Sequence, residues 1–358
     1  MKLTPRNERA ALWTLACYAA AVLAFLGLSG LLVLSVGGSP QAAFAALLTG
    51  ALGSKAAIGN TLAKATPLVF TGLAAAIAFR ARIWSIGQEG QMVSGAIAGY
   101  GAVLWFGLSG PAGILVALLA GMAGGALLGL ISGVLDVRFR VNVIISTVLL
   151  NYCVGYLLSW LLQPGIWGDV GQTVSYQQST TLADGLFLPL LPGLTKVHMG
   201  AVLALILTIL IGITLRWTRL GFEIRGFGLN PRAMVARGVD AGRLVLVVMA
   251  GSGALAGLAG IGQILGEAHR LRPDALAGLG YTGIVIALIG RNSAPGTLVA
   301  ALFFGGLAAG GLTMRVVADI PSSLVTAMQG IALIAFLLAE IASGYQLVRA
   351  RREKEMPA

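Results

Sequence analysis

Residues 10–36 read AALWTLACYAAAVLAFLGLSGLLVLSV, an apolar run that follows Lys2, Arg6 and Arg9. A basic stretch ahead of an apolar one has the outline of a secretory signal. A signal core, however, spans only about 7–15 residues, and no A-x-A cleavage pattern precedes a soluble domain here. The run is long enough to cross about 30 Å of hydrocarbon, so it predicts a retained first helix. Runs of comparable character recur at roughly 62–79, 91–107, 111–135, 143–163, 198–217, 243–264, 276–290, 296–314 and 320–343. The expectation is an all-α polytopic membrane protein of about ten transmembrane helices. The short stretch at 276–290 suits a tilted, broken or re-entrant helix.

Composition agrees with a bilayer as solvent. Of 358 residues, 57% are hydrophobic and 10% charged, whereas soluble domains carry about 25% charged residues. The 51 glycines read as packing surface, because lipid gives helices no hydrophobic drive to associate and close backbone approach must replace it. Cys17 and Cys153 sit singly in apolar runs, so neither a metal site nor a disulfide is expected, and no cofactor is implied.

The formal charge of +11 does not point to nucleic acid, since the basic residues gather on no single face or tail. With a cytosolic N-terminus and ten crossings, Lys and Arg should collect on the cytosolic side. They do so at Lys2, Arg6 and Arg9; Arg80 and Arg82; Arg138 and Arg140; Arg216 to Arg243; Arg291; and Arg349 to Lys354. Only Lys55, Lys64, Lys196, Arg270, Arg272 and Arg315 fall elsewhere. Both termini are thus expected in the cytosol. Residues 164–197, rich in Pro and Gly, read as an external loop between a first half (1–163) and a second half (198–358) of one transmembrane domain. A faint echo relates the halves: Ile86-Gly87-x-x-Gly90 and Leu279-Gly280-x-x-Gly283. In so glycine-rich a chain, chance accounts for it as well as duplication does.

Four segments carry chemistry. The cytosolic connection 218–242, TRLGFEIRGFGLNPRAMVARGVDAG, holds a cap signal at Asn230, Pro231 at the first helical position, and Gly238 as a stop. A short helix parallel to the membrane follows, and Asn230, Pro231, Arg232, Ala233, Ala236, Arg237 and Gly238 are candidates for docking a cytosolic partner. The alternative is a basic loop on lipid headgroups. In Phe79–Gln91, two glycines and several polar residues interrupt two apolar runs. Ser85, Gln88, Glu89 and Gln91 either line a passage or form a cytosolic turn, and the two readings stand equal. Asn142, Ser146, Thr147 and Asn151 share a helical stripe, which joins helices or meets a solute. Tyr281 and Thr282, among closely spaced glycines, either pack or face a central passage.

No Walker A, GxSxG or His/Cys metal motif occurs, so no ATPase site and no enzyme is expected. Of the thirteen acids, only Glu89 and Glu340 come near the membrane interior by sequence, and Glu340 suits a snorkelling or Arg349-paired group. This scarcity speaks against an ion-coupled secondary carrier, the competing class.

At this point Ile86-Gly87-Gln88-Glu89-Gly90-Gln91 resembles the N-I-G-x-E-G-Q signature of permeases in the branched-chain amino acid and simple sugar ABC importer superfamily. The resemblance is to its nucleoside and simple-sugar group, served by basic-membrane-protein-type lipoproteins. Ser85 stands where Asn is usual. Val141 to Tyr152 resembles the N-E-x-I-S-T-x-M-L-N-Y run, with Val143 where an acid is common. Residues 230–238 are similar to the coupling loop, and 278–292 to a late signature. The resemblance implies a permease in a bacterial inner membrane that moves a small polar solute, a nucleoside or simple sugar. Branched-chain amino acids or a vitamin are the alternative cargo. It implies as partners cytosolic ATP-binding subunits, a second permease subunit in a homo- or heterodimer, an external substrate-binding lipoprotein or periplasmic protein, and membrane lipid.

Overall fold

The computed structural model describes residues 2–5, 11–168, 177–194 and 196–348. The expected external loop falls partly outside these residues, as do Arg6, Arg9 and the basic tail from Arg349. Helices dominate: α1 (Ala11–Ser35), α2 (Pro40–Leu52), α3 (Lys55–Arg80), α4 (Gln88–Phe106), α5 (Gly110–Phe139), α6 (Val143–Leu161), α7 (Gly200–Trp217), α8 (Arg219–Leu229), α9 (Pro231–Ala236), α10 (Ala241–Gln263), α11 (Pro273–Leu276), α12 (Leu279–Ile289), α13 (Ala294–Val317) and α14 (Ser322–Gly344). Among the described residues, 8 helices are long and apolar enough to cross a membrane. Helix α2 corresponds to no predicted run, and the cytosolic connection 218–242, for which the sequence predicts one short helix, carries two, with α8 ahead of the predicted α9. Thr218 starts α8, its hydroxyl accepting from the Gly221 N–H at 3.1 Å.

The chain divides into two compact units, Met1–Phe44 with Met314–Ala358, and Ala45–Thr313. In the first, α1 packs on α14, and Tyr18 donates to Glu340 Oε2 at 2.9 Å. Glu340 therefore has a tyrosine partner within the helix pair, where the sequence suggested snorkelling or Arg349. Strands β1 (Lys2–Pro5) and β2 (Tyr345–Val348) pair antiparallel in the same unit.

In the second unit α10 packs against α3, α4 and α5. The junction of α4, α5 and α10 is built from glycine. A Cβ on Gly95 would stand 2.2 Å from Gly257 Cα, one on Gly125 2.1 Å from the Gly253 carbonyl oxygen, and one on Gly257 2.2 Å from the Gly121 carbonyl oxygen. Backbone lies directly on backbone, which is how small residues hold helices together in lipid. At the far end of α3, Phe79, Ile83, Leu215, Ile224, Leu244 and Met249 form an apolar cluster that fixes α8 against α3 and α10.

Two helix starts in this unit, those of α4 and α12, bear on the site. After Arg80 the chain runs without helix to Gly87 before α4 begins at Gln88, and Ser85 on that stretch is fully buried. Helix α12 has 11 residues, about 16 Å of rise, half of the hydrocarbon thickness. Its start is held by Thr71 of α3, whose hydroxyl donates to the Leu279 carbonyl oxygen at 3.2 Å. Thr71 lies about 13 Å from the Arg80 end of its helix.

Candidate functional site

The starts of α4 and α12 meet through Glu89. Its Oε1 accepts the Gly278 N–H at 2.6 Å, and its Oε2 accepts the Gly280 N–H at 2.8 Å and the Tyr281 N–H at 3.4 Å. The first turn of a helix has unpaired N–H groups and a partial positive charge, and a carboxylate answers both. Gly278 makes the turn possible, with φ +81°, a conformation that carries no steric cost only for glycine. Gly280 must also be small, since a Cβ there would stand 2.4 Å from the Glu89 nitrogen.

Asn151 of α6 completes the cluster. Its Oδ1 accepts the Gly90 N–H at 2.9 Å, and its Nδ2 donates to the Ile86 carbonyl oxygen at 2.8 Å and to Tyr281 Oη at 3.3 Å. Thr147, one turn earlier on α6, accepts the Ile86 N–H at 3.2 Å. The N–H and carbonyl of Ile86, just ahead of α4, and the Gly90 N–H in its first turn are thus paired by α6 side chains, which answer groups that a helix start leaves without ladder partners.

The predicted passage residues fall into four placements. Glu89, Asn151 and Tyr281 meet directly, and Tyr281 is exposed. Ser85, Gln88, Gln91 and Ser146 are buried. Of these, the side-chain amides of Gln88 and Gln91 have no hydrogen-bond partner among the described residues. Thr282 donates to the Gly278 carbonyl oxygen at 2.8 Å, a bond internal to its own helix. Asn142 lies apart at the start of α6, exposed, where its Oδ1 caps the Ile144 N–H at 2.9 Å.

Residues 230–238 form a second feature. Asn230 Oδ1 accepts the Ala233 N–H at 3.2 Å, Pro231 opens α9, and Gly238 follows with φ +86°. Met234 is buried against Gly226 of α8, whereas Arg232, Ala233, Val235, Ala236 and Arg237 are exposed. Beside them a groove of about 610 Å³ is lined in part by Arg219, Glu223, Asp240 and Arg243, with Arg219 and Glu223 paired at 2.9 Å along α8.

One group escaped the sequence reading. Lys64 of α3 pairs with Glu267, which follows α10, and Gln263 donates to the same carboxylate at 3.0 Å. The available signal was a lysine inside an expected span, which bilayers tolerate only with a partner.

Comparison with known proteins identifies this architecture. The family described as branched-chain amino acid transport system / permease component matches residues 57–337. The guanosine ABC transporter permease protein NupP of Bacillus subtilis is 32% identical over 91% of this chain and 92% of its own length. The glucose ABC transporter permease protein TsgB13 of Haloferax volcanii is 31% identical over 100% of this chain and 97% of its own. The nucleoside ABC transporter permease protein NupB of Lactococcus lactis is 31% identical over 81% and 82%. No solved structure matches. With its set of apolar helices and a match extending across most of its length, the chain is a multi-pass membrane protein that belongs to the branched-chain amino acid transport system permease family.

Proposed function

We propose that this chain is the membrane-spanning subunit of an ATP-binding-cassette importer that passes a nucleoside or simple sugar. The observation that carries the reading is near full-length similarity to permeases named for guanosine, nucleosides and glucose. The chain crosses an inner membrane ten times with both termini cytosolic. The antiparallel pairing of Lys2–Pro5 with Tyr345–Val348 supports an even number of crossings, because it holds the two chain ends on one side of their unit. Separate ATP-binding subunits drive it, a second permease copy or homologue completes the passage, and an external binding protein delivers the solute.

Helix α9 is the docking element. It is short, capped at both ends, anchored by Met234, and presents small and basic side chains outward. Its carrier α8 meets the end of α3 closely: a Cβ on Gly228 would stand 2.1 Å from the Arg80 carbonyl oxygen. Movement at α9 therefore reaches the segment 81–87 and the start of α4. Alternating access follows as a rigid shift of packed helices about the Glu89 cluster. The passage candidates are Ser85, Gln88, Glu89, Gln91, Asn142, Ser146, Asn151, Tyr281 and Thr282, with exposed Tyr281 the foremost. Apart from Glu89, whose carboxylate is taken up by the start of α12, the groups there are uncharged and suit a neutral solute held weakly on its way through.

The test is co-expression with the ATP-binding, second permease and binding-protein genes, in cells lacking their own guanosine and glucose uptake. Wild type should import one of these solutes. Gly238→Trp should insert normally yet lose copurifying ATP-binding subunit, since its positive φ and the fitted surface exclude the side chain. Normal copurification with transport-stimulated ATP turnover in that variant would reject α9 as the docking element.

A further inference from the structure

Helices α3 and α10 are the most enclosed of the apolar helices, with 83% and 72% of their membrane windows buried, yet they present a charged pair to open space. Lys64 Nζ contacts Glu267 Oε1, and the two side chains are 34% and 33% exposed. Gln263 Nε2 holds the other carboxylate oxygen at 3.0 Å. Gln263 is 7% exposed, and its Oε1 has no hydrogen-bond partner among the described residues. The backbone widens here: Ile264–Ala268 winds as a π-helix, a distortion concentrated at functional sites. His198 holds that turn from behind, its ring so close that a Cβ on Gly266 would stand 2.4 Å from Nε2.

Position gives the pair its meaning. Lys64 and Thr71 are seven residues apart on one face of α3, so Lys64 lies about 10 Å further along the helix than the start of α12, which Thr71 holds. In the orientation proposed above, that direction is outward. A partly exposed ion pair at this depth cannot rest against lipid without heavy cost, so its open side faces water or a solute.

We propose that Lys64, Glu267 and Gln263 form an outer binding station for adjacent hydroxyls of a neutral ribose or hexose. The inference rests on the nucleoside-or-sugar reading and deepens it. The ammonium retains free donors and the carboxylate retains acceptor sites, while buried Gln263 fixes the carboxylate's orientation. One solute hydroxyl donates to Glu267 while its neighbour accepts from Lys64. The pair carries no net charge, so it favours a neutral polyol over an ion, and hydrogen bonds to charged groups are the stronger ones.

The test uses the complete importer in cells, comparing guanosine with 2′,3′-dideoxyguanosine, or glucose with 2-deoxyglucose if wild type imports the hexose. The same binding protein serves every variant, so any change in the ratio belongs to this chain. Glu267→Gln and Lys64→Gln, each checked for assembly by copurification, should lower uptake of the hydroxylated solute about tenfold, the effect of losing one charge-assisted hydrogen bond. The deoxy analogue should enter at its wild-type rate. Equal loss of both solutes would show a structural brace and overturn the inference. Wild type importing neither guanosine nor glucose would overturn the solute reading itself, and the station with it.

Discussion

Glu89 and Gly278 lie 189 positions apart in sequence, and the carboxylate of one accepts the backbone N–H of the other at 2.6 Å. This bond, with its companion to Gly280, ties the start of α4 to the start of α12. A residue that the sequence offers as a solute contact is therefore also the cap of a helix that begins partway through the bundle. The two roles make different predictions.

Glu89→Gln keeps one acceptor oxygen but loses the charge at the α12 terminus. It should lower stability by about 2 kcal/mol, as for loss of a hydrogen bond to a charged group. Thermal unfolding in nanodiscs reads this. Unchanged melting with abolished uptake would mean that the carboxylate serves the solute and not the helix.

Gly90→Ala should be tolerated poorly, because the added Cβ would stand 2.5 Å from Asn151 Oδ1 and 2.9 Å from Asn151 Cα. Asn151→Ala leaves the Ile86 carbonyl oxygen and the Gly90 N–H without their α6 partner. Interhelical bonds in membranes are worth about 0.6–2 kcal/mol each, so it should cost about 1–3 kcal/mol. Yield and melting temperature of the purified variants provide the check, and wild-type values in both would refute the clasp.

The glycine junction yields a comparison with an internal control. Gly257→Ala, meeting the Gly121 carbonyl oxygen at 2.2 Å, should strongly reduce folded protein, whereas Gly155→Ala, with nothing within 4 Å, should not. Fluorescence-detected size exclusion of the two variants distinguishes them. Equal profiles would mean that α4, α5 and α10 do not pack this closely.

His198 sets a pH dependence. Burial pushes its imidazole below the ordinary value of about 6.5; Glu267 opposes the shift and His269 adds to it. The unfolded chain therefore binds the proton more readily than the folded one, so stability is full above about pH 6.5 and falls as acid drives the proton onto the folded form. Melting temperature should drop between pH 7 and pH 5, and His198→Asn, which can still accept the Gly200 N–H, should flatten that slope. A slope unchanged in the variant would assign the effect to other groups.

What could be read from sequence followed from local chemistry. Apolar runs located most of the long helices because lipid demands length and hydrophobicity. Asn230, Pro231 and Gly238 announced α9 because caps and stops are local. Helix α2 escaped because 13 residues are too few to cross, and α8 because its arginines and glycines look like loop. The partners of Glu89 and of Lys64 were invisible for a different reason: each bond joins residues about two hundred positions apart, and no spacing rule reaches that far. The echo between residues 86–90 and 279–283, no more than chance by sequence, proves to mark two stretches at helix starts that touch one another.

The central claim is that this polypeptide forms a gate and takes its work from a separate motor. The direct measurement is solute accumulation in proteoliposomes, with the binding protein and labelled guanosine or glucose supplied. Accumulation should require the ATP-binding subunits and ATP, and should be absent from vesicles holding the permease alone under any ion gradient. Uphill uptake by the chain alone, without nucleotide, would contradict the account.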